Sequence, residues 1–145
     1  VEGANFCLGN VENIPYRQDT LDYLLCTEVL EHMESDEPVS ECYRVLKPGA
    51  VALFTVSNGN GVLGKYFTAH VRFFSFRSIT KLLSDAGSEI VSGQKVGLYI
   101  PLVCRLIGAF NVARGRYQAF PPMLDIMVPE FLATSFFIEC RKPEA

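Results

Sequence analysis

The sequence predicts an α/β domain, because runs typical of buried strands alternate with patterns typical of amphipathic helices. Leu21–Cys26 (LDYLLC) is a continuous apolar run, as expected for a strand covered on both faces. Glu37–Leu46 has apolar residues at steps of three and four, which is one stripe of a helix. Ala50–Val56 is a second apolar run directly after it. Such alternation indicates a mostly parallel sheet covered by helices.

The first half of the chain supplies three predicted strands and one helix. Asn5–Leu8 is a short apolar run that we interpret as a strand, followed by the strand at Leu21–Cys26. The helix over Glu37–Leu46 should end at Pro48 and Gly49, since Pro48 disfavours helical geometry before it and Gly49 can adopt the positive φ of a tight turn.

The second half repeats this alternation. Ser75–Ala86 predicts a helix capped by Ser75 or Ser78 and stopped by Gly87. Strands are predicted over Glu89–Val96 and Ala133–Cys140, the latter being rich in aromatic and β-branched residues, with a helix over Pro101–Ala113 between them.

Length and charge narrow the class of protein. The chain has 145 residues, enough for one domain with a core, so we treat residues 1–145 as a single domain with an apolar insertion at about 98–124. A net charge of -3 disfavours nucleic acid as a partner. The five cysteines lack a C-x-x-C pair, which favours reduced thiols in a cytoplasmic protein. The interrupted apolar stretch from Leu98 is too short to cross a bilayer.

A literal G-x-G-x-x-G is formed by Gly59, Gly61 and Gly64, directly after the strand at Ala50–Val56. The crowded aromatic residues after Gly64 lack the small side chains that a dinucleotide-binding helix needs against its strand. We therefore favour an ordinary flexible loop at the carboxyl edge of the sheet, where loops often border a ligand crevice.

Several segments in a fixed order and spacing resemble the class I S-adenosylmethionine-dependent methyltransferases, in particular the small-molecule group that includes the ubiquinone-biosynthesis type. The resemblance runs from about Gly9 to Gly87. The segments that carry it are Gly9–Tyr16, Leu21–Met33, Tyr43–Gly49, Thr55–Asn58 and His70–Ser75.

The resemblance implies a Rossmann-like methyltransferase fold with an antiparallel last strand, of which this chain would be the C-terminal part, strands three to seven. The family's first two strands and its Gly-rich cofactor motif have no counterpart, so we expect a truncated piece, inactive by itself. The family's first strand lies beside the fourth, so Leu21–Cys26 would form an apolar edge. We expect the isolated chain to aggregate, self-associate through that edge or stay partly unfolded.

The resemblance also implies the residues that bind the cofactor, S-adenosylmethionine. Asn10 stands where the family commonly has Asp to accept a hydrogen bond from the adenine amino group, and the backbone of Val11 would contact the ring. The carboxamide of Asn10 retains an acceptor, although an Asn there could simply shape the turn. The backbone of Cys26 and Thr27 would face the methionine part.

The group of polar residues that most clearly indicates chemistry is Glu28, Glu31 and His32, and three interpretations of it stay open. His32 could be a catalytic base that removes a proton from the methyl acceptor. The three side chains, completed by His70, could instead hold a divalent metal, as an E-x-x-E-H pattern does in some methyltransferase branches. Alternatively, the acids cap a helix start and His32 is structural.

The methyl acceptor is predicted to be a small, apolar molecule. We assign substrate binding to His70, Arg72 and Phe73, in the loop after the strand that ends at Val56; Arg72 could also simply pair with a surface acid. The apolar insertion at 98–124 suggests a hydrophobic acceptor and association with a membrane surface. A different class also stays open: a non-catalytic α/β interaction module that cannot bind the cofactor alone.

Overall fold

The computed structural model describes residues 6–61, 64, 70–98 and 124–144. These residues form one five-stranded sheet with two α-helices, α1 (Glu37–Val45) and α2 (Phe76–Asp85), and a short 3-10 helix at Leu30–His32. The strands are β1 (Leu21–Thr27), β2 (Leu46–Ser57), β3 (Glu89–Leu98), β4 (Leu124–Met127) and β5 (Ala133–Arg141), in the spatial order β1-β2-β5-β3-β4.

Strand β5 lies between β2 and β3 and is antiparallel to both. The predicted antiparallel last strand is therefore confirmed. Only β1 and β2 pair in parallel, with Cys26 opposite Phe54. The expectation of mostly parallel pairing is wrong for the described sheet, because β5 separates the two strands β2 and β3 that run in the same direction.

The helices begin and end where local chemistry favours it. Ser75 caps α2 through a reciprocal capping box, in which its hydroxyl accepts from the backbone N–H of Ser78 and the Ser78 side chain accepts from the backbone N–H of Ser75. Gly87 follows α2 with a φ of +101°, which L side chains rarely adopt. In α1, Pro38 occupies the first turn, where its missing N–H costs nothing.

The core lies where β2 and β5 meet the helices. Burial alternates along most of these two strands and becomes continuous at the end of β2, and Phe136 packs edge to face on Phe76 with ring centroids 5.5 Å apart. Helix α1 adds Val39, Cys42 and Val45, while α2 adds Ile79 and Leu83. The period of two in the strands and about 3.6 in the helices explains why the sequence patterns located these elements.

The segment after β5 is tied back to the start of the sheet by Lys142. Its buried ammonium donates to Asp19 Oδ1 at 2.7 Å and to the carbonyl oxygens of Tyr43 and Leu46 at 3.1 and 2.9 Å. The ammonium uses all three donors, as a buried charge must.

The predicted elements differ from the structure in two places, and one predicted element lies outside the described residues. Residues 6–8 of the predicted strand Asn5–Leu8 are not a strand: Phe6 and Leu8 are 92% and 100% exposed, and no strand of the described sheet lies beside them to accept backbone hydrogen bonds. Strand β4 was not predicted. The predicted helix Pro101–Ala113, with most of the insertion at 98–124, lies outside the described residues.

The outer edge of the sheet at β1 has no pairing strand in the described part of the chain, and Tyr23 and Leu25 are exposed there. Neither described helix is long or apolar enough to span a bilayer.

Candidate functional site

The polar residues predicted to carry chemistry lie where β1 and β2 end. Glu28 directly follows β1, and its backbone N–H still donates to the Thr55 carbonyl of β2 at 2.9 Å. Its φ of +51° is unusual for a residue other than glycine. Carboxyl ends of parallel strands are where open α/β sheets bind ligands, so the strained residue stands at the expected edge.

Glu28 and Glu31 converge on one residue of β2, Ser57. The Ser57 hydroxyl donates to Glu28 Oε2 at 2.6 Å, and the Ser57 backbone N–H donates to Glu31 Oε1 at 2.9 Å. The Thr55 hydroxyl lies 3.3 Å from Glu28 Oε1 as a further donor. Glu28 as a whole residue is exposed, but the partial burial of its carboxyl against β2 raises the pKa of Glu28, and the hydrogen bond from Ser57 opposes that rise.

Glu31 also holds the segment that carries His70. Its carbonyl oxygen accepts from the backbone N–H groups of Val71 at 2.8 Å and Arg72 at 3.0 Å. The imidazoles of His32 and His70 meet edge to face, with centroids 4.9 Å apart. Burial lowers the pKa of His70, and the neighbouring His32 lowers it further while Glu28 raises it. A histidine pair in this setting favours neutral imidazole at His70, which can accept a proton.

The other two residues assigned to substrate differ in their surroundings. Phe73 is half-exposed, and its ring lies 6.5 Å from that of His70. Arg72 bonds instead to the Ser35 carbonyl at 2.9 Å and to the Asp36 carboxylate at 2.7 Å. These contacts match the surface-pairing interpretation of Arg72 that the sequence also allowed.

The turn that contains Asn10 reaches the same region through a side-chain contact. Ser35, which follows the 3-10 helix, donates its hydroxyl to Glu12 Oε1 at 2.7 Å. Within the turn, Asn10 Oδ1 accepts the backbone N–H of Glu12 at 3.0 Å, and its carbonyl accepts that of Asn13 at 2.9 Å. A carboxamide oxygen has two lone pairs, so Asn10 shapes the turn and can still accept another donor.

The residues proposed to face the methionine part lie at the end of β1. The Cys26 side chain is buried in the core, whereas Thr27 is exposed, and both pair with β2. A cofactor would therefore meet their backbone or the Thr27 side chain, not the Cys26 thiol.

The glycine pattern is explained by close packing. A Cβ on Gly59 would lie 2.5 Å from Cβ of Phe73, one on Gly61 would lie 2.6 Å from the Ala133 carbonyl oxygen, and one on Gly64 would collide with the Gly59 carbonyl. These glycines allow the loop to fold onto itself and onto its neighbours.

In the described ranges, no group of three His, Cys, Asp or Glu side chains is arranged to hold a metal ion. A cleft of about 350 Å³ opens at the other end of the strands, where the amino ends of β1 and β2 meet. It is lined by Asp22, Tyr23 and residues 47–51. This cleft lies at the opposite ends of β1 and β2 from Glu28 and Ser57. Because ligands of open α/β sheets bind at the carboxyl ends of the strands, we take the polar cluster around Ser57 as the candidate site.

Solved structures with the same fold include proteins named as methyltransferases and one named as a cyclase. A methyltransferase of Thermotoga maritima superposes with a TM-score of 0.65 and 19% identity, covering 92% of this chain and 61% of its own. One from Methanosarcina mazei has a TM-score of 0.61 and 15% identity, covering 94% and 66%. The [4+2]-cyclase SpnF has a TM-score of 0.66 and 18% identity, covering 97% and 56%. The fold is thus that of the class I S-adenosylmethionine-dependent methyltransferases.

Sequence comparison agrees with this fold class. Residues 1–54 match the model of a family described as methyltransferase domain. A protein of Mycolicibacterium smegmatis, named as a probable S-adenosylmethionine-dependent methyltransferase, is 34% identical over an alignment of 89 residues that covers 57% of this chain. The chain spans 34% of that relative's length. The resemblance to S-adenosylmethionine-dependent methyltransferases inferred from the sequence motifs is confirmed.

Two residues of the site were not found by sequence reasoning. Ser57 binds both glutamates, and Asn58 is 1% exposed, with its amide donating to the carbonyls of Glu130 and Ala133 at 2.6 and 3.0 Å. Ser57 and Asn58 belong to the motif Thr55–Asn58, but their hydrogen-bond partners are 26 or more residues apart from them in the sequence. No local pattern therefore indicated these contacts.

Proposed function

We propose that this chain is part of an S-adenosylmethionine-dependent methyltransferase that acts on a small acceptor molecule. The observation that carries the proposal is that all four residues assigned to the cofactor, Asn10, Val11, Cys26 and Thr27, fall within the 1–54 match to the methyltransferase domain. The contact between Glu12 and Ser35 supports a shared site, because it joins the Asn10 turn to the segment that follows β1.

The residues present fit the nucleoside part of the cofactor. Asn10 is exposed and its Oδ1 has one donor from its own turn, so this oxygen can accept the adenine amino group. The backbone of Val11 would lie against the ring, and that of Cys26 and Thr27 near the methionine part. S-adenosylmethionine supplies an activated methyl group, so the protein's main task is to align the acceptor.

His32 is proposed as the base that receives the acceptor's proton, with His70 beside it. The two imidazoles are in edge contact, and the lowered pKa of His70 keeps it neutral near physiological pH. The half-exposed ring of Phe73 offers an apolar surface next to His70, which suits an apolar acceptor. Arg72 is proposed to orient this loop through Ser35 and Asp36, with any contact to an anionic acceptor secondary.

The cellular location of the protein and its associations are proposed from fewer observations. The described cysteines are all free thiols, three of them buried, which suits the reducing cytoplasm. Association with a membrane surface would involve the insertion at 98–124, and self-association would use the open edge of β1.

Titration calorimetry of the whole protein with S-adenosylmethionine tests the proposal. We expect saturable binding that weakens in Asn10→Ala, because the adenine acceptor is lost. Asn13→Ala is the matched control, since that exposed side chain belongs to the same turn and only its backbone makes the turn's hydrogen bond. Absence of saturable binding by the unaltered protein would refute the proposal and favour a non-catalytic α/β module.

The base assignment is tested separately by pH–rate profiles of the unaltered protein and His32→Gln. We expect His32→Gln to lose the rise in rate that accompanies deprotonation of a base. An unchanged rate and profile would remove His32 from catalysis.

A second reaction class is tested in the same assay, because the fold neighbour SpnF is named a [4+2]-cyclase. Cofactor that binds without methyl consumption would favour that class.

A further inference from the structure

We infer that Glu28 and Glu31 share one proton, and that Glu31, as the acceptor in this carboxyl pair, positions the His70 segment against the end of β2. The inference rests on the proposed function only where it concerns turnover. Its first test is spectroscopic and independent of methyl transfer.

The starting observation is an acceptor without a donor. Glu31 is 0% exposed, and while its Oε1 accepts from Ser57, its Oε2 is buried with no hydrogen-bond partner among the described residues. A buried carboxylate oxygen without a donor is costly, and native proteins nearly always supply one. We therefore expect a hydrogen-bond donor next to Oε2 of Glu31.

Glu28 can be that donor if its carboxyl is protonated. Both glutamates bind Ser57, so their carboxyl groups share a small volume at the end of β2. Two carboxylates at close quarters cannot both be ionised without strong repulsion, and one shared proton removes it. The pKa of Glu28 is raised by burial of its carboxyl and also by the neighbouring Glu31 carboxyl, which agrees with the proton residing there.

The pair links three segments that carry the candidate site. Glu31 holds the end of β2 through its side chain and the His70 segment through its carbonyl oxygen. Movement of Glu31 would shift Val71 and Arg72, and with them the contact between His70 and His32. A group that acts in this way positions the reacting residues without touching them.

Difference infrared spectroscopy of the whole protein tests the shared proton. At neutral pH we expect a band of a protonated carboxyl in the unaltered protein that is lost in Glu28→Gln. The band should also be lost in Glu31→Gln, because the new amide donates to Glu28 and leaves it ionised. A missing band in the unaltered protein, or one that persists in Glu31→Gln, would overturn the inference. Each glutamine retains the size and polarity of the glutamate, so folding is preserved.

Steady-state kinetics test the positioning role. We expect Glu31→Ala to lower kcat/KM for the acceptor by about 10- to 100-fold, the usual cost of losing a supporting residue, while S-adenosylmethionine affinity stays within about twofold. Glu31→Gln should recover most of the loss, because its amide oxygen still accepts from Ser57. Unchanged kinetics in Glu31→Ala, or equal losses in the two variants, would overturn the role. If the unaltered protein does not bind S-adenosylmethionine, the proposed function fails, while the infrared test stands.

Discussion

Replacement of Asn58 by Ala should destabilise the protein strongly, because this one side chain joins the end of β2 to the start of β5. Its amide donates to two backbone carbonyls, and its Oδ1 accepts the backbone N–H of Asn60 at 3.0 Å. At about 1 kcal/mol net for each hydrogen bond, the three bonds amount to about 3 kcal/mol. The free energy of unfolding should fall by about that amount.

Equilibrium urea denaturation measures this change. The sequence contains no tryptophan, so far-UV circular dichroism is the suitable probe. Asn60→Ala is the matched control: its side chain is exposed, and its backbone N–H keeps the bond to Asn58, so we expect a change below about 0.5 kcal/mol. If Asn58→Ala also changed stability by less than about 0.5 kcal/mol, the argument from these buried hydrogen bonds would be refuted.

A second variant, Asn58→Asp, tests whether the Asn58 side chain acts as a hydrogen-bond donor. Asn58→Asp has the same shape but faces the carbonyls of Glu130 and Ala133 with a carboxylate that cannot donate. It should be less stable than Asn58→Ala at neutral pH, and it should recover in acid, where a protonated carboxyl restores one donor. Equal stability of Asn58→Asp and Asn58 across that pH range would contradict the assigned orientation of the amide.

Three further outcomes are expected. Phe136→Ala, which empties a fully buried position and removes the edge-to-face contact with Phe76, should lower the free energy of unfolding by about 3–5 kcal/mol, as read from chemical denaturation. Ser75→Ala should cost about 1 kcal/mol by removing the cap of α2, and Ser75→Asp should retain most of it; equal losses in both would argue against the cap. Since the folded-state pKa of His70 lies below its ordinary 6.5, stability should fall as the pH drops from above 6.5 through that lowered value. Thermal melts of His70→Asn should lack this part of the decline, and an unchanged decline would assign it to other groups.

Local patterns of the sequence determined the identity of most elements. The steps of three and four in Glu37–Leu46 and the cap at Ser75 depend only on neighbouring residues, so α1 and α2 lie within one or two residues of their predicted bounds. The segments predicted as strands that became β1, β2, β3 and β5 are also recognised from local residue types. The motifs around Asn10 and Leu21–Met33 indicated the family, because their residue types and spacing are properties of the chain itself.

Only the tertiary structure decided how these elements meet. The insertion of β5 between β2 and β3 depends on pairing across many residues, and the failure of residues 6–8 to form a strand depends on a missing neighbour in the described sheet. The convergence of Glu28 and Glu31 on Ser57 joins positions 26 or more residues apart. Such contacts arise from packing and hydrogen-bond geometry in three dimensions, and no spacing within a local segment encodes them.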